Sequence, residues 1–316
     1  MSCSIRVLLL LGLFAAGAQA QAHDGYLDAG EGVKLFYHMV GTGPDTLIVI
    51  HGGPGFTMDY FAKDLEPLAA KHVLLFYDQR GAGKSTLVQD SAGLSADKFV
   101  DDLDAVRRHF GLRKAALLGH SWGAIIAAGY AVRYPDRVSR LLIVGGVPLT
   151  HQGMADALRT LASHRDSASV AGLSRWYAAR VKDPGDTAAC RAYYRIWFAP
   201  FFADPSALSR SQGDFCAGTE ASRRNKIEHV DHYTAASLGN WDFRAGLRPF
   251  AAPTLVILGT ADIFPLSTGR EWASAVTDGR LLVFQHAGHF LYLEVPDAFF
   301  GAVDTFLRGG WPDGAN

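Results

Sequence analysis

Gly119-His120-Ser121-Trp122-Gly123 follows the run Lys114-Ala115-Ala116-Leu117-Leu118 and opens the helical stretch Ala124 to Tyr134. This is a G-x-S-x-G turn between a strand and a helix, the setting in which the motif carries catalysis. A serine held in a strained turn at a strand end needs neighbours without side chains, so that strand and helix can pack closely. The turn lifts the hydroxyl clear of the sheet, and the helix N-terminus behind it offers unpaired N–H groups to an oxyanion. Ser121 is therefore the candidate nucleophile. The bland reading, a glycine-rich turn with an incidental serine, leaves the strand-to-helix setting unexplained.

Outward from this turn the chain alternates. Short apolar runs at Thr46 to Ile50, His72 to Tyr77, Ala115 to Leu118, Arg140 to Val144, Thr254 to Leu258 and Leu281 to Phe284 are separated by helical patterns. Those patterns include Met58 to Ala70, Ala96 to Phe110 and Ser121 to Tyr134. Val33 to Val40 alternates as an antiparallel strand does, and Gly41-Thr42-Gly43-Pro44 ends it. Continuous apolar strands imply burial on both faces, hence an α/β architecture with a mostly parallel central sheet and helices on both faces. Between Pro148 and Phe250 there is no β run, only Arg, Ala, Trp, Tyr and Phe at helical spacings. The expected organisation is a core at residues 21–147, an inserted helical cap at 148–250, and the second part of the core at 251–316. The cap falls after a strand, where such sheets hold their ligands.

A serine hydroxyl needs a base, and the base an orienting acid. In α/β-hydrolases these follow the nucleophile in the order Ser, Asp, His. Asp262 lies just after Thr254-Leu255-Val256-Ile257-Leu258-Gly259, and Gln285-His286-Ala287-Gly288-His289 follows Leu281 to Phe284. Gly288 before it and a helix start at Phe290 select His289 as the base over His286. Asp262 leads Asp278, which sits in a surface-type turn on the wrong side of its strand. The oxyanion needs donors. One is the N–H of Trp122; the other comes from His51-Gly52-Gly53-Pro54-Gly55, where Gly53 is the candidate because Pro54 has no N–H. Asp78-Gln79-Arg80-Gly81 follows a strand and is expected to brace that loop by charge-assisted hydrogen bonds.

Two other patterns carry less. Gly83-Lys84-Ser85 resembles the end of a phosphate-binding loop, but the glycine required five residues earlier is Asp78. His229 and His232 have helical spacing without a third ligand, so a hydrogen-bonded helix face is favoured over a metal. No cofactor and no metal are expected.

The composition of the 316 residues, 49% apolar and 19% charged with a formal charge of −1, allows an ample core and gives no basic footprint for nucleic acid. Arg6, the apolar run Val7 to Ala18 and Ala18-Gln19-Ala20 read as a signal peptide over residues 1–20. The run is well short of the roughly 20 residues that span a bilayer, so no stable membrane anchor is expected. A mature chain beginning near Gln21, periplasmic or secreted, follows. Cys190 and Cys216 then either form a disulfide or remain two buried thiols. The oligomeric state is open, a homo-oligomer included.

Taken together, His51-Gly52-Gly53-Pro54-Gly55, Asp78-Gln79-Arg80-Gly81-Ala82-Gly83-Lys84-Ser85 and Gly119-His120-Ser121-Trp122-Gly123, with Asp262 and Gly288-His289, resemble the proline iminopeptidases, serine peptidases of the α/β-hydrolase fold. The resemblance covers Val33 to Gly146 and Thr254 to Leu307. It implies release of an N-terminal residue, proline or a small apolar one, from short peptides through an acyl-enzyme. It also implies cap glutamates that hold the substrate's α-ammonium. Ile227-Glu228-His229-Val230-Asp231-His232-Tyr233 is similar to the segment carrying one of them, which makes Glu228 the first candidate and Glu220 the second. Gly259-Thr260-Ala261-Asp262 departs from the more basic and aromatic stretch of those peptidases. The alternatives are an esterase, lactonase or amide hydrolase on the same scaffold, and a non-catalytic ligand-binding relative.

Overall fold

The apolar runs become strands of one eight-stranded sheet in the computed structural model, which describes residues 22–163 and 165–316. The leader read at residues 1–20 lies outside them. The strands are β1 (His23–Gly30), β2 (Val33–Val40), β3 (Thr46–Ile50), β4 (Val73–Tyr77), β5 (Ala115–His120), β6 (Val138–Val144), β7 (Thr254–Gly259) and β8 (Gly279–Phe284). They are ordered β1-β2-β4-β3-β5-β6-β7-β8. β1, β2 and β4 pair antiparallel, and every pair from β4 to β8 is parallel.

Every residue of β5 and of β7 is buried, which is why those runs are apolar without alternation. Successive residues still divide between two cores. Ile48, Ile50 and Leu117 pack on one side with the helices Ala96–His109 and Gly123–Arg133. Leu47, Val49 and Leu118 pack on the other with the helix Pro296–Leu307. Burying each such aliphatic side chain contributes about 1.5–3 kcal/mol.

β3 is flanked by β4 on one side and β5 on the other, so the strand order reverses there. That reversal opens a crevice at the carboxyl ends of β3 and β5. The register pairs Ile50 with Gly119, which sets His51-Gly52-Gly53 beside His120-Ser121. The fold thereby brings together two glycine-rich loops that are far apart in the chain.

One strand joins those read from the sequence, and one expectation is corrected. β1, His23-Asp24-Gly25-Tyr26-Leu27-Asp28-Ala29-Gly30, is a strand that no apolar run in the sequence announces; only Leu27 is buried, and pairing with β2 makes the element. Met58 to Ala70 is not one helix but a 3-10 turn at Met58–Tyr60, an α turn at Ala62–Leu65 and a 3-10 turn at Glu66–Ala70. Pro67 has no N–H for an α ladder, and the Met58 N–H is taken by Asp78 Oδ1 at 2.9 Å.

Between β6 and β7 the chain is helical, from His151–Ser163 through Ser167–Lys182, Thr187–Phe198 and Glu220–Asn225 to Arg244–Leu247. Asp166, Asp186 and Thr219 cap their helices through side-chain oxygens. A disulfide joins Cys190 to Cys216. These helices rest on the core loops: Asn225 Nδ2 donates to Gly81 O at 2.8 Å, and Lys226 Nζ to Pro54 O at 2.8 Å. Among the described residues no helix is long and apolar enough to cross a membrane.

Candidate active site

Ser121 has φ of 55°, left-handed backbone that a serine adopts only when its surroundings hold it there. Two contacts hold it. Its N–H donates to Val144 O at 3.1 Å, and a Cβ on Gly123 would stand 2.2 Å from Ile50 O. Only glycine lets the turn close against β3.

His289 and Asp262 lie in the loops after the adjacent strands β8 and β7 and meet each other, and His289 shares a cavity wall with Ser121. Nδ1 of His289 lies 3.1 Å from each Asp262 carboxylate oxygen, and both side chains are buried. The Phe264 N–H also donates to Asp262 Oδ1, and the His289 N–H donates to Phe201 O at 2.7 Å. With Nδ1–H donating to the carboxylate, Nε2 is left bare to accept a proton. Gly145 approaches so closely that an added Cβ would lie 2.8 Å from His289 Nδ1. His286 is exposed, its N–H tied to Thr260 Oγ1. The Asp278 carbonyl accepts the Thr254 N–H at the start of β7, the far end of the sheet from His289.

On the facing side, Gly53 has φ of 136° and precedes a cis Pro54. Among the described residues neither the Gly53 N–H nor the Trp122 N–H has a protein partner, whereas the Gly52 N–H donates to Tyr60 Oη at 2.7 Å. The loop is braced largely by neutral groups. Gln79 Nε2 donates to His51 O at 2.7 Å, and the Gln79 N–H donates to His51 Nε2 at 3.1 Å. Arg80 turns away and forks onto Asp102, Nε to Oδ2 at 2.7 Å and Nη2 to Oδ1 at 2.6 Å.

His51 must be neutral to accept from Gln79, and its Nδ1–H donates to Gly52 O at 2.8 Å. Burial pushes its pKa down from 6.5 to about 4. Between those values the unfolded chain takes up a proton that the folded chain refuses. The stability contributed by neutral His51 is therefore complete above pH 6.5 and is lost as pH falls toward 4. The loss is about 3 kcal/mol at most. Melts between pH 7 and pH 4 should fall more steeply for the wild type than for His51→Gln; parallel curves would refute the assignment.

Ser121 and His289 open onto a cavity of about 650 Å³ walled by Phe56, Trp197, Phe198, Phe215, Trp241 and Phe290, among other apolar residues. Among the described residues no Asp, Glu, Lys or Arg lines it. A larger recess of about 910 Å³ lies beyond Trp241 and Ile263 on the far side of Asp262, with Asp156, Asp242 and Glu271 on its wall, and Ser121 does not reach it.

The cap glutamates lie elsewhere. Glu220 and Glu228 are exposed and both pair with Arg224, at 2.9 and 3.6 Å, and neither lines the cavity. Their helix buries Asn225, Ile227 and Val230, so Glu228 faces outward. His229 and His232 share that region, and among the described residues no group of three or more His, Cys, Asp or Glu could hold a metal ion.

Sequence reading missed Tyr60, His120 and Phe215. His120 stood inside the quoted motif as its variable position. Phe215 has no motif, and it reaches the cavity beside the disulfide-bonded Cys216.

The chain belongs to the α/β hydrolase fold family, which it matches over residues 45–296. Within that family it is similar to a proline iminopeptidase of Heyndrickxia coagulans, 26% identical over 291 residues that cover 90% of this chain and 98% of that protein. It is equally similar, 26% over 285 residues, to the 2-hydroxy-6-oxononadienedioate/2-hydroxy-6-oxononatrienedioate hydrolase of Escherichia coli (strain K12), covering 89% of this chain and 93% of that one. The crystal structure of a proline iminopeptidase of Mycobacterium smegmatis matches with a TM-score of 0.68 at 25% identity, over 90% of this chain and 98% of that one.

Proposed function

We propose that the chain is a serine hydrolase of apolar, uncharged carboxylic esters. The observation that carries this is the cavity: Ser121 and His289 share its wall with aromatic side chains and with no carboxylate. His289 Nε2 takes the Ser121 Oγ proton as the oxygen attacks the acyl carbon, and Asp262 holds the imidazolium. The Gly53 and Trp122 N–H groups face the tetrahedral oxyanion. His289 then protonates the leaving alkoxide, and water releases the acyl group by the same steps in reverse roles.

The second reading is release of an N-terminal proline or small apolar residue from short peptides. The iminopeptidase relatives favour it. Against it stands the α-ammonium, which would be desolvated in this cavity with no counter-charge at a cost of several kcal/mol. Both readings use Ser121, and a pair of substrates separates them. A nitrophenyl ester should be turned over, whereas a proline anilide with a free amine should not. Cleavage of the free-amine anilide, with its N-acetylated twin and the ester left intact, would reverse the assignment. Glu228→Gln should leave ester turnover within about twofold, as expected of an exposed side chain.

We also infer export, supported by the leader pattern at residues 1–20 and by the Cys190–Cys216 disulfide, a bond of oxidising compartments. The mass of secreted protein should correspond to a start near Gln21; a retained Met1 would contradict this.

A further inference from the structure

The hydrogen bonds behind Ser121 can be followed proton by proton. The Gly52 N–H donates to Tyr60 Oη at 2.7 Å. That oxygen lies 2.6 Å from His120 Nδ1, and His120 Nε2 lies 3.4 Å from the carbonyl oxygen of His289. A carbonyl can only accept, so Nε2 carries the His120 proton. Burial holds this ring well below the usual histidine range, so it is neutral and has no second proton. Nδ1 is bare, and the Tyr60 hydroxyl donates to it. The path therefore runs in a fixed order from the loop after β3, through Tyr60 of the 3-10 turn and His120 at the end of β5, to the backbone of the residue after β8 that holds Asp262.

The surroundings leave these groups no other seat. Tyr60 and His120 are each 2% exposed. Phe61 and Phe215 stack on the Tyr60 ring with centroids 4.5 and 5.1 Å away. A Cβ on Gly52 would lie 2.9 Å from Tyr60 Oη and 3.1 Å from Ser121 Cβ, so Gly52 is held between the tyrosine and the serine.

We propose that Tyr60 and His120 are positioning residues whose hydrogen bonds keep the Gly52-Gly53 loop in register with Ser121 and His289. The proposal rests on the reading of Ser121 as nucleophile. The polar atoms of the pair are occupied with each other, with Gly52 and with the His289 carbonyl, so they act through the Gly53 N–H. That donor is needed most where charge develops on the oxyanion. A displaced donor weakens the transition state more than the bound ester, so its loss is read in kcat rather than in KM.

Tyr60→Phe removes both the acceptor for Gly52 and the donor to His120. Ester kcat should fall about 10- to 100-fold, the scale of a misplaced catalytic group, with KM changed less than about threefold. His120→Leu should match it. His120→Asn, which keeps an amide oxygen near the Nδ1 position for Tyr60, should recover kcat to within about fivefold of the wild type. The double variant Tyr60→Phe/His120→Leu should lose no more than the worse single, because both break one path. Wild-type kcat in Tyr60→Phe, or losses that multiply in the double variant, would overturn the proposal. If Tyr60→Phe does not fold, equal losses in His120→Asn and His120→Leu would overturn it instead. Ser121→Ala separates the two levels. An inactive Ser121→Ala beside a fully active Tyr60→Phe sinks the positioning role alone, whereas an active Ser121→Ala sinks the reading beneath it as well.

Discussion

Ser121→Ala is expected to lower ester kcat/KM on the order of 10⁴-fold or more while the protein stays folded. The residual rate would come from the cavity and the two N–H donors, which the substitution leaves in place. The melting temperature should hardly move, because alanine at φ of 55° carries the same backbone strain as serine. Glycine does not. Ser121→Gly should be equally inactive yet more stable than the wild type by about 1 kcal/mol, the strain released at one left-handed residue. A stabilised, inactive Ser121→Gly would tie the strain to catalysis. Unchanged activity in either variant would remove Ser121 from the chemistry.

Arg80→Met is expected to be the most destabilising single change, by about 3–5 kcal/mol near pH 8. The Arg80–Asp102 fork is buried at both ends, with side chains 2% and 1% exposed. Methionine fills the space but leaves Asp102 without its charge partner. Burial already lifts the Asp102 carboxyl to about 6, with Arg80 holding it from rising further. Without Arg80 it rises more, so the folded variant keeps Asp102 neutral while the unfolded chain, with the ordinary carboxyl value of 3.8, has released the proton. The cost of taking that proton up grows as pH rises. The variant's deficit against the wild type should therefore shrink as pH is lowered from 8 to 5. A deficit that stays constant or grows over that range would mean that the lost stability is packing, not charge.

The parts of the fold that were legible share one cause. β5 and β7 are buried on both faces, and such strands write themselves as unbroken apolar runs. The loops that follow β3, β5, β7 and β8 were legible because glycine is needed where backbone meets backbone, as Gly123 meets Ile50. β1 was not, because it exists through pairing with β2 and buries only Leu27. The break at Glu66–Ala70 was signalled by Pro67 and could have been read. The facing of Glu228 could not. Helical spacing shows that Ile227 and Val230 share a buried stripe, but not that the cavity lies on the side where Ala235, Ala236 and Gly239 line it. Tyr60 and His120 were hidden for another reason: their partnership spans 60 positions and joins a 3-10 turn to a strand end.

The most direct measurement is the mass of the protein, and of its peptides, after reaction with alkyl fluorophosphonates of increasing chain length. The account predicts one phosphonyl group on Ser121, formed faster as the alkyl chain lengthens to fill the aromatic cavity, and none on Ser121→Ala. An adduct on another residue, or a folded wild-type protein that takes up no phosphonate at any chain length, would contradict it.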